Sequence, residues 1–125
     1  MEYKILTTDV FRLWWQDLSL PEQEDVLTGV TLLRQLGPTL PYPYSSSVEG
    51  SKYSHMRELR IQHWGQPYRV LYAFDPKRQA ILLTGGNKTG NKRWYKQNTP
   101  IADRLYKEYL DNLNTGDYND GPKTF

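Results

Sequence analysis

Between residues 85 and 95 the chain reads GGNKTGNKRWY. Three cations, Lys88, Lys92 and Arg93, are spaced by glycines and amides and run into Trp94 and Tyr95. A glycine-rich cationic loop suggests phosphate, and the nearest defined pattern is G-x-x-x-x-G-K-[ST]. Gly85 and Gly90 have its spacing, but Asn91 stands where the lysine belongs, and RWYKQNTP does not read as the start of an amphipathic helix. A nucleotide-triphosphate loop is therefore not expected. The chain has no cysteine, which removes disulfides, thiol nucleophiles and cysteine-zinc sites together. His55 and His63 are its two histidines and no HExxH pattern surrounds them, so no metal or cofactor is required.

The cations belong to a larger pattern. Residues 1–51 hold three Lys/Arg against seven Asp/Glu, a net of −4. Residues 52–96 hold ten Lys/Arg against Glu58 and Asp75, a net of +8, and residues 97–125 return to −2. Segregated charge of that size attracts a polyanion, and nucleic acid is the favoured class. The competing account is a solvated strand face neutralised by acidic helices. With neither a signal peptide nor a long apolar run in its 125 residues, the chain is expected to be one cytoplasmic domain without a membrane span.

The elements that must position these groups follow from periodicity. Glu2 to Leu6 is a short strand. Phe11, Trp14, Trp15 and Leu18 fall on one helical stripe, which Asp9 can cap. Ser19 and Glu22 form a capping-box pair for a second helix, with Val26, Val30 and Leu33 along its stripe and Gly37-Pro38 ending it. Residues 38–54, rich in proline and serine, read as an exposed loop. Strands follow at His55 to His63, Tyr68 to Asp75 and Ala80 to Gly85, joined by turns too short for anything but an antiparallel meander. Thr99-Pro100 opens a last helix, and the tail from about residue 114 reads as loose. The order β-α-α-β-β-β-α is that of an α+β domain.

Alternation across the strands groups the candidates. Arg69 shares a face with Leu71 and Ala73, opposite the larger apolar set of Tyr68, Val70, Tyr72 and Phe74 that should cover the helices. Glu58 and Arg60 are expected beside it, because Leu59 and Ile61 suit the core. Arg60, Arg69, Lys88, Lys92 and Arg93 could thus converge with Trp94 and Tyr95 close by. Cations alternating with aromatics suit RNA, where phosphates pair and bases stack.

The segments MRELR, GQPYRVLYAFDP, AILLTGGNKTG and RWYKQNTPIADRLYKEYL, spanning about Ser51 to Leu110, resemble the HigB-like branch of the RelE/ParE toxin superfamily. The resemblance implies a RelE-like fold and the toxin of a type II toxin–antitoxin pair. For that branch it also implies a ribosome-dependent mRNA endonuclease silenced by a HigA-like helix-turn-helix antitoxin. By position it assigns Arg69, then Lys88 or Arg93, then Tyr95 to the active face. Met56 and Glu58 stand where RelE members carry lysines.

Cleaving RNA without a metal uses the neighbouring 2′-OH as nucleophile, so a base, cationic stabilisation of the phosphate and an acid for the leaving 5′-oxygen are all needed. Arg69, Lys88 and Arg93 suit the charge role, and Glu58, Tyr95, His55 and His63 are the acid or base candidates. Arg60, Lys92, Trp94 and the histidines are the RNA-contact candidates. A ParE-like gyrase inhibitor and a catalytically inactive RNA-binding module remain as alternatives, since one fold hosts several activities. The antitoxin is expected on the acidic helical side, where Trp14 and Trp15 lie about 100° apart on the helix and cannot both point straight inward.

Overall fold

Strand pairing organises the chain. The computed structural model describes residues 2–115 and 122–125. In it β1 (Ile5–Thr7), β2 (Ser45–Ser47), β3 (Arg57–His63), β4 (Gln66–Phe74), β5 (Ala80–Asn87) and β6 (Lys123–Thr124) form one sheet, in the order β2-β3-β4-β5-β1-β6. The β3–β4–β5 meander is antiparallel, as its short turns require, while β1 joins β5 in parallel. The helices are α1 (Asp9–Asp17), α2 (Leu20–Leu36) and α3 (Trp94–Thr115). This is the α+β arrangement expected of a RelE-like fold.

Alternation along the strands makes two cores rather than one. Leu59, Ile61, Tyr68, Val70, Tyr72 and Leu82 meet Phe11, Val26, Val30 and Leu33 of α1 and α2 on one face. Met56, Leu71, Ala73, Ile81 and Leu83 meet Trp94, Ala102, Leu105, Tyr106 and Tyr109 of α3 on the other. The face that carries Arg69 is therefore turned away from α1 and α2, as alternation implies, but α3 covers it. Arg69 is only 4% exposed.

Several local expectations change. Thr8, not Asp9, caps α1: its hydroxyl accepts from Phe11 N and donates to the Leu83 carbonyl at 2.7 Å, while Asp9 takes the first helical position. The Ser19–Glu22 capping box of α2 is present as read. The 38–54 stretch is not all exposed loop, for Ser45, Ser46 and Ser47 pair with Leu59, Glu58 and Arg57 as the edge strand β2. Ser45 can be buried because its hydroxyl lies 2.6 Å from that of Tyr72 and accepts from Arg57 Nε. A helix does start within RWYKQNTP: α3 begins at Trp94, ahead of Thr99-Pro100, and Pro100 lies inside it. Burial of Trp94 outweighs the start signal at Pro100, because tertiary packing supplies most of a helix's stability. The C-terminal residues 122–125 return to the fold, β6 pairing with β1 and the Phe125 ring 5.0 Å from that of Trp15. The remainder of the expected tail, residues 116–121, lies outside the described residues.

Candidate active site

The site forms where β3, β4 and the first turn of α3 meet. Arg60 and Arg69 face each other across the β3–β4 ladder, and Glu58 lies two residues back along β3 on the same side. Two arginines in register would repel, so an acid between them is an electrostatic requirement. The Glu58 carboxylate meets it: Oε2 is 3.3 Å from Arg60 Nη1 and Oε1 is 3.4 Å from Arg69 Nε. Tyr95, from α3, donates its hydroxyl to the same Oε1 and accepts from Arg69 Nε at 3.2 Å. Ser46 of β2 donates to Oε2. Arg69 Nη1 is spent on the Tyr68 carbonyl at 2.9 Å, which fixes the guanidinium plane.

Burial sets the electrostatics. Glu58 and Arg69 side chains are nearly closed off from solvent, whereas the Arg60 side chain is 26% exposed and lies over the Tyr42 ring. Burial first, then the bond to Glu58, raises the Tyr95 phenol above its ordinary value. Tyr95 is thus held as a neutral O–H donor at physiological pH. Lys88 Nζ stands over its ring, 5.6 Å from the centroid.

The sequence candidates separate into groups. Glu58, Arg60, Arg69, Lys88 and Tyr95 come together. Lys92 and Arg93 are exposed on the loop before α3 and have no ion pair among the described residues. Trp94 is 4% exposed, a core side chain rather than a surface for a stacked base. His63 lies on the α2 side, its Nδ1 2.6 Å from Asp25, across the sheet from Arg69. His55 bonds the Tyr106 hydroxyl at 2.9 Å; Tyr106 is eleven residues beyond Tyr95 on α3, about 16 Å along the axis. Neither histidine joins the cluster. Ser46 is not among the sequence candidates, because only the β2–β3 register brings it in, and a serine run carries no strand signal.

The two glycines that opened the loop serve packing. A Cβ on Gly86 would come 2.5 Å from Trp94 Nε1, and one on Gly85 would come 2.5 Å from Trp14. A bulge between Leu71 and Tyr72 in the β4–β5 register places Gly86 under α3 and Gly85 under α1. Each indole lies flat where a side chain would stand, and Trp94 in that seat holds Tyr95 over Arg69. Among the described residues no group of three or more His, Cys, Asp or Glu is placed to hold a metal ion. None of their helices is long and apolar enough to cross a membrane.

The family description "Phage derived protein Gp49-like (DUF891)" matches residues 13–107. The chain belongs to that Gp49-like family, the family of HigB-type toxins. In agreement, this Gp49-like chain is 45% identical over 98 residues to the Mycobacterium tuberculosis protein named "Putative toxin HigB3", covering 78% of the chain and 84% of that protein. It is 39% identical over 108 residues to "Putative toxin HigB2" of the same organism, covering 83% of the chain and 54% of that protein. The match of the Gp49-like family spans every residue of the cluster, from Tyr42 to Tyr95.

Proposed function

We propose that the chain is the toxin of a type II toxin–antitoxin pair and a metal-independent endoribonuclease that cuts mRNA on the ribosome. A small helix-turn-helix antitoxin of the HigA type would hold it silent. The family membership supports the toxin; the closed knot of Glu58, Arg60, Arg69 and Tyr95 under the Lys88 loop supports the chemistry. Two arginines positioned in register suit one phosphate, since guanidinium donors match phosphate oxygens and Arg60, partly exposed, is open to it. An incoming phosphate competes with the Glu58 carboxylate for both. A phosphate that takes up the arginine donors leaves the Glu58 carboxylate free to take the proton of the 2′-OH. Tyr95, neutral and O–H donating, is suited to protonate the departing 5′-oxygen. Their mutual hydrogen bond then gives the proton a return path from Glu58 to Tyr95.

The test is brief induction of the chain without an antitoxin, with mapping of transcript ends. New ends inside translated frames are expected. Intact messages together with double-strand DNA breaks would mark a gyrase inhibitor instead.

A further inference from the structure

The β3–β4 turn carries a side chain that neither the fold nor the proposed chemistry uses. Trp64 and Gly65 alone join His63 to Gln66, and both have positive φ, 50° and 77°. That is the backbone of a mirror-image two-residue hairpin turn, whose first position suits Asn or Asp. A bulky aromatic there is a strained choice. It is not compensated by burial, for Trp64 is 82% exposed. One face of the indole lies against the His63 ring, with centroids 4.4 Å apart and planes at 25°. His63 is itself buried and fixed by Asp25. The result is an indole that leans on a buried ring and is otherwise open to solvent.

Its surroundings indicate the ligand. Asn87 Nδ2 donates to Gln66 Oε1 at 2.9 Å and Lys88 N donates to the Pro67 carbonyl at 3.0 Å, so the loop before α3 leaves the sheet beside this turn. Lys88, Lys92 and Arg93 in that loop have no ion pair among the described residues. Of the acids of α2, Asp25 is engaged with His63 and Glu22 with Tyr68, while Glu24 is exposed. Arg69 lies three residues beyond Gln66 on β4, about 10 Å at the usual strand rise. We propose that Trp64 is a stacking platform for a base of single-stranded RNA at the tip of the β3–β4 hairpin, which a strand holding a phosphate at Arg69 reaches by passing round the end of the sheet to the His63 side. Lys92 and Arg93, the exposed cations of the loop, would attract the backbone between the two points. A strained, exposed indole beside unpaired cations is what sequence-tolerant binding of a single strand uses. The inference rests on the ribonuclease reading above and adds a second contact point to it.

The test compares wild type, Trp64→Asn, Trp64→Phe and Arg69→Ala in binding a fluorescein-labelled single-stranded RNA of about 12 nucleotides at low salt. Thermal melts and transcript-end mapping accompany the binding curves. Trp64→Asn should melt at or above the wild-type temperature, because Asn accepts the turn, yet bind roughly tenfold or more weakly. Trp64→Phe should keep most of the affinity, and a protein carrying both Trp64→Asn and Arg69→Ala should bind more weakly than Arg69→Ala alone. Wild-type affinity in Trp64→Asn would overturn the platform while leaving transcript cleavage intact. RNA binding that depends on Trp64 with transcripts uncut in induced wild-type cells would sink the ribonuclease reading alone. A Trp64→Asn protein that melts well below wild type would make the residue structural. No RNA binding by wild type, or loss only of antitoxin capture in Trp64→Asn, would make it something other than an RNA contact.

Discussion

At the residue scale, the site depends on one carboxylate balancing two arginines. Arg69→Ala removes one of the two donors proposed to hold the phosphate and should lower the proposed cleavage by about a hundredfold or more. The fold should survive, since Glu58 retains Arg60, Ser46 and Tyr95. The lost ion pair with the buried Glu58, together with the bonds to Tyr68 and Tyr95, costs roughly 3–5 kcal/mol. Urea denaturation followed by transcript-end mapping checks both parts, and a folded Arg69→Ala protein that still cuts would take this arginine out of the site. Tyr95→Phe is the finer probe: it keeps the ring beneath Lys88 and deletes only the proton donor. A positioned acid contributes about a hundredfold to ten-thousandfold, so the rate should fall by that order while the protein still folds. Full activity in Tyr95→Phe would leave the leaving group to another donor.

At the element scale, the position of Tyr95 is decided by a glycine on another strand. Gly86→Ala places a methyl group 2.5 Å from the Trp94 indole, so α3 must lift at its first turn. Such overpacking costs about 1–3 kcal/mol, and the expected sign is a lower urea midpoint together with reduced cleavage. A Gly86→Ala protein as stable and active as wild type would show that the indole can shift freely. This packing bears on what the sequence could reveal. Meander strands, the Ser19 capping box and the shared face of Glu58, Arg60 and Arg69 are local patterns of period or alternation, and they were legible. The start of α3, the β4–β5 bulge and the pairing of β2 with β3 are consequences of tertiary contact, so Trp94 read as a surface aromatic and Ser46 went unseen. His63 lies away from the cluster for a simpler reason. Its parity along β3 is that of Leu59 and Ile61, which puts it on the α2 face, while its composition alone suggested chemistry.

At the scale of the whole molecule, both cores are tied to the sheet by phenols that must keep their protons. Tyr68 donates to Glu22 at 2.6 Å and so ties β4 to α2; Tyr106 donates to the Phe74 carbonyl at 2.7 Å and ties α3 to β4. Burial, then the Glu22 bond, pushes the Tyr68 phenol up to about 12. Burial, then the nearby Asp75 carboxylate, pushes Tyr106 up to about 12 as well. An unfolded tyrosine titrates near pH ~10. A group raised on folding contributes stability that is complete below its unfolded value and is lost as pH rises through its folded value. Stability should therefore hold through neutral pH and fall between about 10 and about 12, with both helix layers loosening together. Tyr68→Phe keeps the ring but removes the proton and the bond to Glu22. It should cost about 0.5–1.5 kcal/mol at neutral pH and make the alkaline fall shallower. Urea midpoints measured from pH 7 to pH 11.5 for the two proteins check this; parallel curves would mean that Tyr68 carries none of the alkaline sensitivity.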